Sequence, residues 1–204
     1  MTIPGRKTAV ILDLGNVVLD YDVHQIVESL GLDARSSTAL HDELFGHPDW
    51  LDLDRGSRTE AEVVRAVHLR TGLDTATIEF ALLTMKDSLD PIPQTLDLMH
   101  ELVAAGLDLY CLSNMSRETF AHVREHDLFS LFAGIVISGH ERMIKPDPAI
   151  FELVLERFAL TPATSLFVDD SPANVDSARR AGIDAYHFRR GRHCYAWLRG
   201  ALLD

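Results

Sequence analysis

The chain has 204 residues, of which 47% are hydrophobic and 25% charged, a composition typical of a globular protein. This length suits one domain, or one domain that carries an insertion. The 19 basic and 31 acidic residues give a net charge of −12, which argues against nucleic acid or an anionic membrane as a partner, since both require a basic surface. The two cysteines, Cys111 and Cys194, are expected to be the reduced thiols of a cytoplasmic protein.

The first predicted element is a short buried strand. Residues 8–12 (TAVIL) are apolar and β-branched, as in the strands of a parallel sheet, and the polar, turn-prone segment 13–16 follows them. Similar runs that end in polar residues recur along the chain, at residues 107–112, 134–137, 165–168 and 184–188. These five runs predict the strands of one sheet.

The stretch after the first strand is predicted to be helical. Residues 23–31 and 75–85 have helical patterns, and a capping box at Thr59 opens a third helix through residue 69. The segment 45–50 is expected to be a turn whose Phe45 and Trp50 pack the small core of this region, with the lining of a substrate pocket as the alternative. We therefore predict a helical cap domain at residues 19–90.

From residue 92 onward, helical patterns alternate with the strands. The predicted helices occupy residues 92–105, 117–126, 148–158, 172–181 and 193–203. This alternation predicts an α/β fold with a doubly wound, Rossmann-like parallel sheet of about five or six strands. Residues 1–18 and 91–204 would form this core domain.

Polar residues follow the predicted strands, and the carboxyl ends of parallel strands meet at one edge of a sheet, where ligands bind. These residues are therefore expected to converge: Asp13, Ser113, Asn114, Lys145, Asp169 and Asp170. Three carboxylates in one place repel unless a cation lies among them, and Mg²⁺ is the usual oxygen-liganded cation beside phosphate. With Lys145 and Ser113 as further donors, the set suits a phosphoryl group.

Four segments carry a resemblance to a known family. The segments 13–17 (DLGNV), 112–114 (LSN), 145–146 (KP) and 169–175 (DDSPANV) resemble, in order, the four motifs of the haloacid dehalogenase-like superfamily. The first also resembles that of α-D-glucose-1-phosphate phosphatases and of the phosphatase-like N-terminal domain of soluble epoxide hydrolases. The resemblance covers nearly the whole chain and implies a hydrolase that acts on a small phosphorylated metabolite, for which we predict a sugar phosphate.

The resemblance also implies a role for each residue. Asp13 would attack phosphorus and form an aspartyl phosphate. The phosphoryl oxygens would be bound by Ser113, Asn114 and Lys145. Mg²⁺ would be held by the side chains of Asp13, Asp169 and Asp170 and by the backbone carbonyl of Gly15, while Asn174 would orient these groups. Neither a nucleic acid nor a membrane is an expected partner, and the sequence does not give the oligomeric state.

Gly15 departs from the phosphatase pattern. Most phosphatases of the superfamily have at this position a second aspartate, which protonates the leaving group and then activates water; such help is worth about 100- to 10,000-fold in rate. Nearby side chains or water could replace it, the candidates being Asp20, Asp22, His24 and His47. A leaving group that needs little protonation, such as an anomeric sugar, would also make an acid at this position less necessary.

Three alternatives remain open from the sequence. Haloacid dehalogenases also lack the second aspartate, but they need no metal and have a small neutral residue at the position of Asp169. A phosphotransferase or phosphomutase could use the same aspartyl phosphate. A non-catalytic binding protein could have the same fold, although the presence of Asp13, Lys145, Asp169 and Asp170 argues against it.

Overall fold

The computed structural model describes residues 5–203, and its centre is a sheet of five parallel strands. The strand order is β3-β2-β1-β4-β5, so the first strand lies in the middle. The strands are β1 Ala9–Leu12, β2 Asp108–Ser113, β3 Phe132–Ile137, β4 Ser165–Asp169 and β5 Asp184–His187. The predicted α/β fold and all five predicted strands are confirmed. Every residue of β1 and β4 is buried, as their apolar sequences require.

The region between β1 and residue 91 is helical. Its helices are α1 Val23–Ser29, α2 Ala34–Leu40, α3 Pro48–Arg55, α4 Glu60–Thr71 and α5 Thr75–Asp87. The capping box at Thr59 is present, with both of its hydrogen bonds. The predicted turn at residues 45–50 is wrong in its second half, because His47 caps α3 and Pro48 occupies its first turn, where the missing proline N–H costs nothing.

The remaining helices flank the sheet. They are α6 Pro93–Ala104, α7 Arg117–Val123, α8 Ser138–Glu141, α9 Pro148–Arg157, α10 Pro172–Arg180 and α11 Arg192–Leu202. Buried apolar side chains form two clusters, one of which joins β1 and β4 to α9 and α10. The other continues from the sheet and α6 into the helices of the region 19–90. The boundary between core and cap domains therefore stays a prediction. Across residues 5–203, no helix combines the length and the apolar character needed to cross a membrane.

Two features of the backbone determine what surrounds the end of β1. The chain turns back after Asp13, and the N–H groups of Val18 and Leu19 both donate to the carbonyl of Leu14, at 2.8 Å. On the other side, α3 docks against α8, where Gly56 (φ +74°) lies so close to Gly139 that a Cβ atom on Gly56 would be 2.2 Å from the Gly139 oxygen. The end of α3 is thereby held next to the end of β3.

Candidate active site

Acidic side chains from two adjacent strands meet at the carboxyl edge of the sheet. Asp13 directly follows β1, and Asp169 is the last residue of β4, with Asp170 next to it. One carboxylate oxygen from each of these three residues lies within 4.8 Å of the others. Ser113, the last residue of β2, lies on the same cavity as Asp13 and Asp170. The predicted convergence of these strand ends is present in the structure.

Lys145 lies among these carboxylates. Its Nζ atom is 2.8 Å from Oδ1 of Asp13 and 2.6 Å from Oδ2 of Asp169, and it also donates to the carbonyl oxygen of Leu112 at 2.8 Å. An ammonium group has three donors, and here each has an acceptor. The side chains of Lys145 and Asp169 are fully buried. The lysine therefore fixes the spacing of the two carboxylates.

The charges of the cluster favour a further cation. Burial alone lowers the pKa of Lys145, but Asp13 and Asp169 outweigh it and hold that pKa above its usual range, so the group is charged. Burial raises the pKa of Asp13, and Asp169 adds to this against the opposing effect of Lys145. Burial and Asp169 likewise raise the pKa of Asp170. Three carboxylates beside one ammonium leave excess negative charge, and a hard divalent cation would relieve it.

Two asparagines orient the charged groups. The Asn114 amide donates to the backbone carbonyl of Lys145 at 2.9 Å and accepts from its N–H at 2.8 Å. The Asn174 amide donates to both carboxylate oxygens of Asp169, at 3.0 and 3.1 Å. The Ser171 N–H adds a bond of 2.8 Å to the same carboxylate. Asn114 thus holds the backbone of Lys145, and Asn174 contacts the carboxylate of Asp169; Asn114 also lies on the cavity.

A cavity of about 260 Å³ opens beside this cluster. Its polar lining includes Asp13, Gly15, Asn16, Asp54, Ser113, Asn114, Thr119 and Asp170, and its apolar and aromatic lining comprises Tyr21, Trp50, Met85, Leu89 and Met115. Trp50 contributes to the cavity while it also packs against Phe45, with ring centroids 5.0 Å apart. The helices α3 and α5 therefore supply part of the wall that faces the carboxylates.

The side chains suggested as substitutes for an acid at position 15 have other environments. Asp22 and His47 cap the N-termini of α1 and α3, Asp20 forms a half-exposed ion pair, and His24 stacks on another histidine. None of the four is among the residues that line the cavity within the described part of the chain. The carboxyl group that the helices of the region 19–90 bring to the cavity is that of Asp54.

Asp54 lies in the last turn of α3, and no sequence motif distinguishes it as a site residue. Its carboxylate accepts the Ser116 N–H, but burial outweighs this bond and, with the charge of Asp13, raises the pKa of Asp54 to about 7. Position 54 belongs to a run of alternating aspartates and leucines (LDLD) in which Asp52 looks equivalent. Only the position of α3 against the sheet distinguishes them.

Comparison with known proteins identifies the family. A sequence model described as haloacid dehalogenase-like hydrolase matches residues 7–182, which is most of the chain. The chain belongs to this family. The family match includes all four segments of the sequence that resemble its motifs, and their polar residues are those that meet at the edge of the sheet.

Individual relatives extend this comparison. A drimenol cyclase of Aspergillus calidoustus is 30% identical over 190 residues, 89% of this chain, but the chain spans only 34% of that protein's length. A sesquiterpene phosphatase of Aspergillus oryzae is 28% identical over 184 residues, which cover 88% of each chain. A phosphorylated carbohydrates phosphatase of Thermotoga maritima is 36% identical over 72 residues, 35% of this chain and 33% of that protein.

Solved structures share the fold. A HAD family enzyme from Bacteroides thetaiotaomicron superposes with a TM-score of 0.76 at 24% identity, covering 96% of this chain and all of the other. The same enzyme has a structure in complex with magnesium and inorganic phosphate, with a TM-score of 0.74 and coverage of 92% and 96%. An L-2-haloacid dehalogenase from Xanthobacter autotrophicus superposes with a TM-score of 0.66 at 21% identity, covering 96% of this chain and 83% of the other. At these identities the similarity concerns the fold.

Proposed function

We propose that this chain is a magnesium-dependent phosphatase that hydrolyses a small phosphorylated metabolite through an aspartyl phosphate on Asp13. The observation that carries the proposal is the buried Lys145 ammonium between Asp13 and Asp169, with the third carboxylate of Asp170 next to them at the cavity. A phosphoryl group requires positive charge and donors beside a nucleophile, and this edge of the sheet offers both.

The donor set fits Mg²⁺. Three carboxylate oxygens within 4.8 Å of one another are hard ligands of the kind that this ion prefers. Asp13, Asp169 and Asp170 would hold it, together with the backbone carbonyl of Gly15, which lies on the same cavity. When bound, the ion would neutralise negative charge that develops on the phosphoryl oxygens. A relative of the same fold has been crystallised with magnesium and inorganic phosphate, which supports this assignment.

The side chains divide the remaining work. Oδ1 of Asp13 accepts the Leu14 N–H at 2.7 Å and lies 2.8 Å from Nζ of Lys145. We therefore assign the attack on phosphorus to Oδ2. Ser113, which lines the cavity, would bind the phosphoryl oxygens. The three donors of Lys145 already have acceptors, so this lysine would offset the phosphoryl charge through its place between Asp13 and Asp169 rather than by the predicted direct contact. Asn114 would hold Lys145 in place while contributing its face of the cavity. Asn174 would keep Asp169 oriented for the metal.

The cavity lining supports two classes of leaving group. A sugar phosphate, predicted from the sequence, would find polar partners in Asn16, Asp54 and Asn114 and ring faces in Tyr21 and Trp50. An apolar alcohol would instead contact the methionine, leucine and aromatic side chains of the same lining. The similarity to a sesquiterpene phosphatase over 88% of both chains favours including this second class.

The proposal excludes the dehalogenase alternative on charge. A metal-free dehalogenase site would have to keep the Asp13 nucleophile ionised although burial and the neighbouring carboxylates of Asp169 and Asp170 raise its pKa, with Lys145 as the opposing cation among the residues described. A phosphotransferase would share the first step, and only the acceptor differs. Phosphorylated product in the presence of an added alcohol would reveal it.

The test is a substrate panel with Mg²⁺. Sugar 1-phosphates, sugar 6-phosphates, an isoprenoid monophosphate, p-nitrophenyl phosphate and a 2-haloacid are each incubated with the wild type and with Asp13→Asn. We expect metal-dependent release of inorganic phosphate from at least one phosphate ester, no halide release, and loss of activity in Asp13→Asn. Halide release without metal, or phosphate release at equal rates from both proteins, would overturn the proposal.

A further inference from the structure

The proposed reaction needs a group that gives and takes one proton. When the ester bond breaks, the leaving oxygen must gain a proton, and the water that later attacks the aspartyl phosphate must lose one. Gly15 has no side chain, and Asn16, which also lines the cavity, carries no titratable proton. Lys145 is committed to Asp13, Asp169 and a backbone carbonyl.

We propose that Asp54 is the general acid and then the general base of this reaction, an inference that rests on the phosphatase function proposed above. In the first step Oδ2 of Asp13 bonds to phosphorus, the ester P–O bond breaks, and the Asp54 proton passes to the leaving oxygen. In the second step the Asp54 carboxylate takes a proton from water, the water oxygen bonds to phosphorus, and the bond from phosphorus to Asp13 breaks. Asp54 then carries its proton again.

The structure gives Asp54 a fixed position on the cavity. Its side chain shares the cavity with Asp13, and the Ser116 N–H donates to its carboxylate. Its backbone carbonyl accepts the Ser138 hydroxyl at 2.6 Å, and the same hydroxyl accepts the Met115 N–H at 2.9 Å. These bonds attach the end of α3 to the ends of β2 and β3, so Asp54 belongs to the cap region but is held by the core.

The surroundings of Asp54 suit a carboxyl group that changes protonation state near neutral pH. The titratable side chains that line the cavity with it are Asp13, Tyr21 and Asp170. Burial first, and then the charge of Asp13, favours the protonated form, while the Ser116 N–H favours the carboxylate. Burial and Asp54 together raise the pKa of Tyr21, which keeps the phenol neutral. An acid with a pKa close to the working pH can both donate and accept a proton.

Gly15 provides an independent way to test this role. A Cβ atom at Gly15 would meet no other atom within 4 Å, and the glycine does not have a positive φ. Gly15→Asp would therefore place a carboxyl group on the cavity that Asp54 already lines, and its Cβ atom would have room. The loss caused by Asp54→Asn should be partly restored by this second substitution.

The experiment compares a simple alkyl phosphate with p-nitrophenyl phosphate, whose leaving group needs no proton. Asp54→Asn should lower turnover of the alkyl phosphate by about 100- to 10,000-fold. With p-nitrophenyl phosphate, the first turnover of Asp54→Asn should be as fast as that of the wild type. Later turnovers of this variant should be slower, because hydrolysis of the aspartyl phosphate still needs a base. The result is a burst of nitrophenol and an accumulated phosphoenzyme. Gly15→Asp should raise the alkyl phosphate rate of Asp54→Asn.

The control is Asp52→Asn. Asp52 lies on the same helix, forms a half-exposed pair with Arg55 at 2.9 Å and is not among the residues that line the cavity. This variant should match the wild type with both substrates. Wild-type turnover of the alkyl phosphate by Asp54→Asn would overturn the proposal, as would an equal loss in the first turnover of both substrates. Activity retained by Asp13→Asn would instead overturn the phosphatase mechanism itself.

A pH profile of the wild type keeps the proposal testable if Asp54→Asn does not fold. The acid must be protonated in the first step, so alkyl phosphate turnover should fall as the pH rises above about 7. The first turnover of p-nitrophenyl phosphate should not share this fall. Parallel profiles for the two substrates would overturn the assignment of Asp54.

Discussion

Replacing Lys145 by methionine removes the ammonium group that lies between Asp13 and Asp169. Methionine retains much of the lysine stem, so the perturbation is mainly electrostatic. The lost contacts are 2.8 and 2.6 Å long, and the side chains of Lys145 and Asp169 are fully buried. Removing one partner of a buried ion pair leaves an uncompensated charge and costs about 3–5 kcal/mol. We expect a loss of this size in the free energy of unfolding at pH 7.5 without metal.

The loss should depend on pH in a defined direction. The pKa of Asp13 is raised in the folded protein, so the folded state binds the Asp13 proton more tightly than the unfolded state does. The free energy of unfolding that this proton contributes is therefore lost as the pH rises. Lys145 lowers the pKa of Asp13, so removing Lys145 raises that pKa further. Lys145→Met should consequently be closer to the wild type at pH 5 than at pH 7.5.

Urea denaturation in EDTA, followed by circular dichroism at both pH values, measures this effect. Arg190→Met is the control, because it breaks an ion pair of similar length, 2.9 Å to Asp20, whose side chains are both about half exposed. Such a pair is worth about 0–1 kcal/mol. A loss for Lys145→Met no larger than that of the control, or one that grows as the pH falls, would refute the electrostatic account of the cluster.

Further changes test the docking of α3, the support of Asp169 and the metal. Gly72→Ala should lower the free energy of unfolding by about 1–2 kcal/mol, because its backbone is left-handed. Gly56→Ala should lower it by at least about 1 kcal/mol more, because a Cβ atom there also meets Gly139. Equal losses for the two variants in urea denaturation would contradict the close approach of Gly56 to Gly139. Asn174→Ala should reduce activity or magnesium affinity by about 10- to 100-fold, measured by titrating Mg²⁺ against the initial rate, and an unchanged titration would exclude its role. Dialysis against EDTA should abolish phosphate release and Mg²⁺ should restore it; activity that survives EDTA would count against the metal.

The sequence predicted the sheet and its polar edge well because both depend on local signals. Short apolar runs that end in polar residues mark β1 and β4, and the parallel order then brings Asp13 and Asp169 to one edge. The capping box at Thr59 marked the start of α4 in the same way. These features are determined by residues adjacent in the chain, together with one general rule about parallel sheets.

The cavity wall could not be predicted, because it depends on how α3 lies against the sheet. The contact between Gly56 and Gly139 and the hydrogen bond from Ser138 to Asp54 join residues more than 80 positions apart. No local pattern distinguishes Asp54 from Asp52. Sequence proximity to Gly15 instead favoured Asp20 and its neighbours, although the chain turns back after Asp13 and directs them elsewhere.

The most direct test of the central claim is to identify where the phosphoryl group is held during turnover. The wild type is mixed with p-nitrophenyl phosphate and Mg²⁺, quenched in acid at short times, digested and analysed by mass spectrometry. The proposed mechanism predicts one transient phosphoryl group on Asp13 itself, and none in Asp13→Asn. A phosphoryl group on another residue, or phosphate release by Asp13→Asn at the wild-type rate, would contradict it.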